Sequence, residues 1–256
     1  MKLFKNIFDF YIQSSLHVSF AIFALVRITE ISLELTVHKY LEWTIFFGTI
    51  VAYNFLKYFE AFQNGNFDFN KNRFIIGLTF LSIIAVIFYF LQLNSVTQIY
   101  FIKIGLWVAL YPFLRKFGFW KLFLVSFCVT AITVYAPIIQ QDFFSTKEKI
   151  VLFQRFLIVI ALMIPFEILD SETDDKTLKT LPQRFGIFKT KMFGIVLLLP
   201  FVLLEFFKEK FEILTVIIAV ITAIFIVFTS FKRDKYYTSF WVESVPILWW
   251  LVLVYT

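Results

Sequence analysis

The chain is built from long apolar blocks separated by short polar interruptions. A helix crossing roughly 30 Å of hydrocarbon at about 1.5 Å per residue needs about 20 predominantly apolar residues. Nine segments meet or approach that length: Ser14 to Ile31, Trp43 to Phe59, Phe74 to Leu93, Val96 to Phe113, Phe119 to Ile139, Ile150 to Leu169, Met192 to Phe207, Phe211 to Phe231 and Phe240 to Tyr255. Before them, Leu3, Phe4, Ile7, Phe8 and Tyr11 stand at helical spacing with Lys2 and Lys5 between, the pattern of an interfacial helix over residues 1–13. A signal peptide is the competing reading. The next segment carries Arg27 and Glu30, and no small-residue cleavage site stands out, so the stretch is expected to belong to the mature chain. The expected fold class is an all-α polytopic integral membrane protein, a single transmembrane domain over residues 1–256 with nine transmembrane helices.

Composition agrees. The chain is 60% hydrophobic and 16% charged, against roughly 45–50% and about 25% for soluble domains. With 7 Gly and 6 Pro, it also falls outside disordered and collagen-like classes. The lone Cys128 cannot form an intramolecular disulfide and reads as a small hydrophobe. A net charge of +6 in a soluble protein would raise nucleic acid as a partner, but here the distribution of bases decides. With the amino terminus in the cytoplasm, 15 Lys and Arg fall on the cytoplasmic side and 5 on the other, leaving Arg27, Lys57, Lys103 and Arg155 inside segments. This positive-inside bias predicts a bacterial-type inner membrane protein with a cytoplasmic amino terminus, a carboxyl terminus on the opposite side, and no nucleic-acid partner.

Ionisable groups at membrane depth are functional candidates whose partners must be named. Arg27 and Glu30, three apart on one face, can pair with each other. The densest chemistry closes the sixth segment, where Glu167, Asp170, Glu172, Asp174 and Asp175 fall within nine residues. Glu167, Asp170 and Asp174 share one helical face, and Asp170 with Asp174 can converge on one cation. Magnesium is held by one or two carboxylates plus substrate phosphates, and this pair supplies the protein half. Lys176, Lys179, Arg184, Lys189 and Lys191 follow, so acids for a metal stand beside bases for phosphate oxygens. Solvated acids at a helix end, and bases serving only orientation, are the alternatives. Tyr111, Pro112, Arg115 and Lys116 form a second basic cluster on the same side, and Tyr53 to Glu60 close the second segment there.

At these residues the chain resembles the UbiA superfamily of intramembrane prenyltransferases. Asp170, Asp174, Thr180, Leu181, Pro182 and Gly186 match that family's second aspartate motif, Glu167 stands where the family has an acid three residues earlier, and Tyr111, Pro112, Arg115 and Lys116 look like its tyrosine and paired-base motif. The resemblance implies a nine-helix bundle around a central cavity that opens to the cytoplasmic side. It implies Mg2+ bound through a substrate diphosphate, with Asp170 and Asp174 as catalytic and metal-holding residues and Glu167 as a further ligand. Asn54, Tyr111, Arg115, Lys116 and Lys179 would contact substrate. The implied reaction moves an isoprenyl group from an isoprenyl diphosphate, or a polyprenyl lipid, to an aromatic or membrane-lipid acceptor. The first aspartate motif departs from the family: Asn54 is in place, but Phe55, Tyr58 and Phe62 occupy its acidic positions, with Glu60 and Asp68 as the nearby acids. A non-catalytic relative that binds an isoprenoid or a membrane partner is therefore the alternative, and a transporter the third reading.

Overall fold

The structure is a computed structural model that describes residues 2–36, 38–114, 118–141, 144–172 and 176–255. Of the expected site residues, Arg115, Lys116 and Asp174 lie outside these. The described residues are helical, with no strand among them: α1 Lys2–Gln13, α2 Leu16–Ser32, α3 Lys39–Gln63, α4 Arg73–Phe90, α5 Ser95–Leu114, α6 Trp120–Ile138, α7 Thr146–Asp170, α8 Leu181–Phe207, α9 Ile213–Phe228 and α10 Tyr237–Tyr255.

Each of the nine apolar segments lies on a helix. Yet only α4, α5, α6, α7, α8 and α10 are long and apolar enough to cross a membrane alone, with α1 and α2 a seventh if that pair, bent by 56°, counts as one span. The expectation of nine such helices is thus met in part, for two physical reasons. α9 has 16 residues, and α3, although 25 residues long, carries Lys39, Glu42, Lys57 and Glu60.

Helix ends follow local chemistry. Ser145 Oγ accepts from the Glu148 amide at 3.3 Å while Glu148 Oε2 accepts from the Ser145 amide at 2.6 Å, a reciprocal cap that starts α7 four residues before its apolar run. Gln183 Oε1 accepts from the Thr180 amide at 3.0 Å, and Pro182 lies in the first turn, so α8 begins at Leu181, well ahead of the apolar block at Met192. Inside α6, residues Ala131–Tyr135 form a π-helical turn, and the Ala131 carbonyl accepts from Tyr100 Oη of α5 at 3.0 Å.

One hydrophobic cluster joins α2, α3, α6, α7, α8, α9 and α10, with Leu157, Ile158, Ile160, Ala161, Ile164 and Ile168 of α7 at its centre. α4 packs along α3, and with α5 it turns Phe80, Leu81, Ile87, Phe88, Ile102 and Leu106 outward. Large exposed aliphatic and aromatic side chains outside, with Ser, Thr and charged groups inside, reverse the arrangement of a soluble globule and fit a hydrocarbon solvent. Many inner hydroxyls donate to the carbonyl four residues back, as Ser19, Thr49, Thr79, Ser82, Thr133 and Thr222 do, which satisfies them within their own helix. The molecule is a helical integral membrane protein.

Candidate functional site

The acids of the sixth segment lie at the end of α7. Glu167 is buried, and its Oε1 is 3.0 Å from Lys121 Nζ of α6, itself buried. Asp170, the last residue of α7, is exposed. Beyond it come a 3-10 turn at Lys176–Leu178, an exposed Lys179 at φ 52°, and α8, broken at Gly186 with φ 79° and ψ 163°. Gln183 Nε2 reaches back to the Ser171 carbonyl at 3.4 Å, tying the start of α8 to the end of α7.

This loop rests on the start of α6. Gly118 has φ +65°, and a Cβ there would lie 2.1 Å from the Leu178 carbonyl oxygen and 3.0 Å from that of Lys179, so only glycine permits the crossing. The Arg184 guanidinium lies 4.9 Å from the Phe119 ring centroid. Gly118 and the Leu178–Lys179 backbone, about 60 residues apart in sequence, therefore cross each other here.

The segment that closes α3 is bonded to its neighbours. Asn54 Oδ1 accepts from Ser15 Oγ at 2.8 Å, and Nδ2 donates to the Ser14 carbonyl at 3.2 Å and to Thr79 Oγ1 at 2.8 Å. Its amide pins the α1–α2 elbow and α4 at the position for which the resemblance implies a substrate contact. Lys57 Nζ donates to the carbonyls of Gln13 at 3.1 Å and Ile12 at 3.4 Å, and Tyr58 Oη donates to Gln13 at 3.1 Å. Phe55 and Phe62 are exposed, and Asp68 accepts from the Lys71 amide at 3.0 Å within its own loop. Below Asn54's level, Tyr53 lies within electrostatic reach of Tyr111 on α5, Cys128 on α6 and Glu243 on α10.

Sequence reasoning missed Glu243. The signal was present, since it is the only acid or base in the last apolar segment. The other buried charges resolve into packing roles. Arg27 Nη1 donates to Glu30 at 2.6 Å, as the spacing predicts, and also to Glu42 of α3 at 2.5 Å. Arg155 donates to the Leu25 carbonyl at 2.7 Å, Thr133 Oγ1 at 3.0 Å and Thr29 Oγ1 at 3.2 Å. Buried Glu205 accepts from Gln154 at 2.8 Å and Lys208 at 2.9 Å. Lys103 is exposed on α5. Trp107, Leu114, Trp120, Phe123 and Leu124 line an apolar lateral cleft of about 420 Å3 between α5 and α6.

Outside the spanning helices, Tyr236 donates a short hydrogen bond to Asp9 of α1, and that carboxylate pushes the phenol up to about 12. Among the described residues no three His, Cys, Asp or Glu side chains converge as a metal site. What the end of α7 offers is two exposed carboxylates, Asp170 and Glu172, with Glu167 a turn below, a donor set that fits magnesium ligated mainly by phosphate oxygens and water and not one that needs a protein cage. No family model matches the chain, and no curated protein or solved structure matches it either.

Proposed function

We propose that the protein is a nine-span, UbiA-like membrane prenyltransferase. It transfers an isoprenyl group from an isoprenyl diphosphate to an aromatic or lipid acceptor, with the amino terminus and the acidic loop in the cytoplasm and a chamber opening to that side. The observation that carries this reading is the crossing of the Leu178–Lys179 backbone over Gly118, which joins the stretch after Tyr111 to the stretch after Asp170 at one end of the bundle. A diphosphate needs acids for a metal and bases for its oxygens within a few ångströms of each other, and Asp170, Lys179 and Arg184 belong to the α7–α8 connection that this crossing holds.

In this reading Asp170 and Asp174, with Glu167 behind them, hold Mg2+, which when bound neutralises the departing diphosphate. Lys179 and Arg184 stand at the same loop to bind phosphate oxygens, and the Lys121–Glu167 ion pair keeps that acid and base oriented. The apolar cleft beside Leu114 and Trp120 is within the 300–1,000 Å3 typical of ligand pockets and gives an isoprenyl tail a place outside water. The test is magnesium-dependent release of diphosphate from farnesyl diphosphate by purified protein. We expect release in the wild type and at least about 10²-fold less in Asp170→Ala, the loss of about 2.7 kcal/mol of transition-state stabilisation. No release from the wild type, or equal release from the variant, overturns the assignment.

A second reading, a non-catalytic isoprenoid binder, is favoured by the fate of the first motif. Asn54 is engaged in helix packing, and the acidic positions carry Phe55, Tyr58 and Phe62. Magnesium-dependent binding of farnesyl diphosphate without release would select it.

A further inference from the structure

Glu243 sits at the break in α10 between a π-helical turn, Tyr237–Val242, and the α-helix Val245–Tyr255. Wide π turns re-aim side chains and recur at functional sites. Glu243 is deep inside the molecule yet only half-buried, so its side chain borders open space. Lys57, Tyr53 and Tyr11 are the charged and titratable groups within its electrostatic reach.

Among the described residues nothing donates a hydrogen bond to this carboxylate, and Lys57 does not close on it. The ammonium instead donates to the Ile12 and Gln13 carbonyls. The contrast with the other buried acids is direct: Glu30, Glu42, Glu167 and Glu205 each have a cation within 3.0 Å. A carboxylate at depth without a donor costs free energy that a ligand hydroxyl would recover.

We propose that Glu243 binds the hydroxyl of the acceptor and accepts its proton, with the Lys57 ammonium facing the same space. The inference rests on the prenyl-transfer reading above. The acceptor's electron pair forms the new bond to C1 of the allylic group, the C1–O bond breaks, and diphosphate leaves with its electrons. The proton the acceptor loses passes to the Glu243 carboxylate. Charge is then handled in two places, the diphosphate at the Asp170 loop and the proton at α10.

The probe is 2-naphthol, a fluorescent phenol that, once excited, gives its proton to an adjacent carboxylate and emits as naphtholate. Bound to the full-length protein in detergent, without magnesium or isoprenyl diphosphate, it should show saturable naphtholate emission. We expect Glu243→Gln to reduce that emission at least 10-fold, Glu243→Asp to restore part of it, and the exposed Glu34→Gln to leave it unchanged. Undiminished emission in Glu243→Gln, or no saturable binding to the wild type, overturns the proposal. If Glu243→Gln does not fold, dicyclohexylcarbodiimide on the wild type keeps the test: modification of Glu243 blocked by 2-naphthol is expected, and modification indifferent to it overturns the proposal. Because donor and metal are absent, failure here leaves diphosphate release standing, and failure of release is read separately.

Discussion

Arg155 is a guanidinium in the centre of the bundle whose three acceptors are all neutral: the Leu25 carbonyl and the hydroxyls of Thr29 and Thr133. The face of Trp249, buried on α10, lies 6.0 Å from it. Replacing it removes three hydrogen bonds from a charged donor that tie α7 to α2 and α6, so Arg155→Leu should destabilise the protein by about 2–4 kcal/mol. The half-buried thiol of Cys128, the only cysteine, provides the readout, because a thiol-reactive dye should label it at lower temperature in the variant. An unchanged labelling temperature would refute the role. At this scale the sequence reveals which residues are costly and conceals what satisfies them. Arg155 is legible as an ionisable group at depth, but its partner is a backbone carbonyl 130 residues away. Asn54 is legible as a motif position, yet its hydrogen bonds go to Ser14, Ser15 and Thr79, because an elbow with Ser15 at φ 64° leaves donors and acceptors that an amide can meet.

Between elements, two joints decide how the proposed site is held. The first is the loop crossing at Gly118. A methyl group there meets the Leu178 oxygen at 2.1 Å on a backbone that favours glycine, so Gly118→Ala must push the acidic loop away. It should weaken magnesium-dependent farnesyl diphosphate binding about 10-fold, or about 1.4 kcal/mol, and equal affinity by equilibrium dialysis would count against the crossing as the site's support. The second joint is α1. Tyr236 donates to Asp9, and Phe8 packs on Tyr236 and Phe240 with ring centroids 5.4 and 5.0 Å away. The phenol is raised to about 12, so this bond is fully present below the unfolded tyrosine value of about 10 and is lost as pH rises through about 12. Tyr236→Phe should expose the α1 amides to faster hydrogen exchange at neutral pH without affecting α7; unchanged α1 protection would show that ring packing alone docks the helix. The interfacial character of α1 is legible from its periodicity. Its anchor is not, because Asp9 and Tyr236 are 227 residues apart.

For the whole molecule, the apolar blocks make the helices legible and the uneven distribution of bases leads to a proposed orientation, whereas the count of crossing helices blurs at α3 and α9, where polar residues or shortness intervene. In a Cys128→Ala background, Ser230→Cys should react with an impermeant maleimide only from the cytoplasmic face and Gln141→Cys only from the opposite face; labelling of both from one side would overturn the orientation. The hydrogen bond from Arg155 to Leu25 also has a consequence for biogenesis. Ribosomes add about 5–20 residues per second, so α2 emerges roughly 6 to 26 s before the arginine that α2 later satisfies. An arginine at the centre of a helix costs about 2.5–3.5 kcal/mol to insert alone. α7 would therefore enter the bilayer at lower cost where α2 still lies beside the translocon when it arrives, which couples the insertion of the two helices.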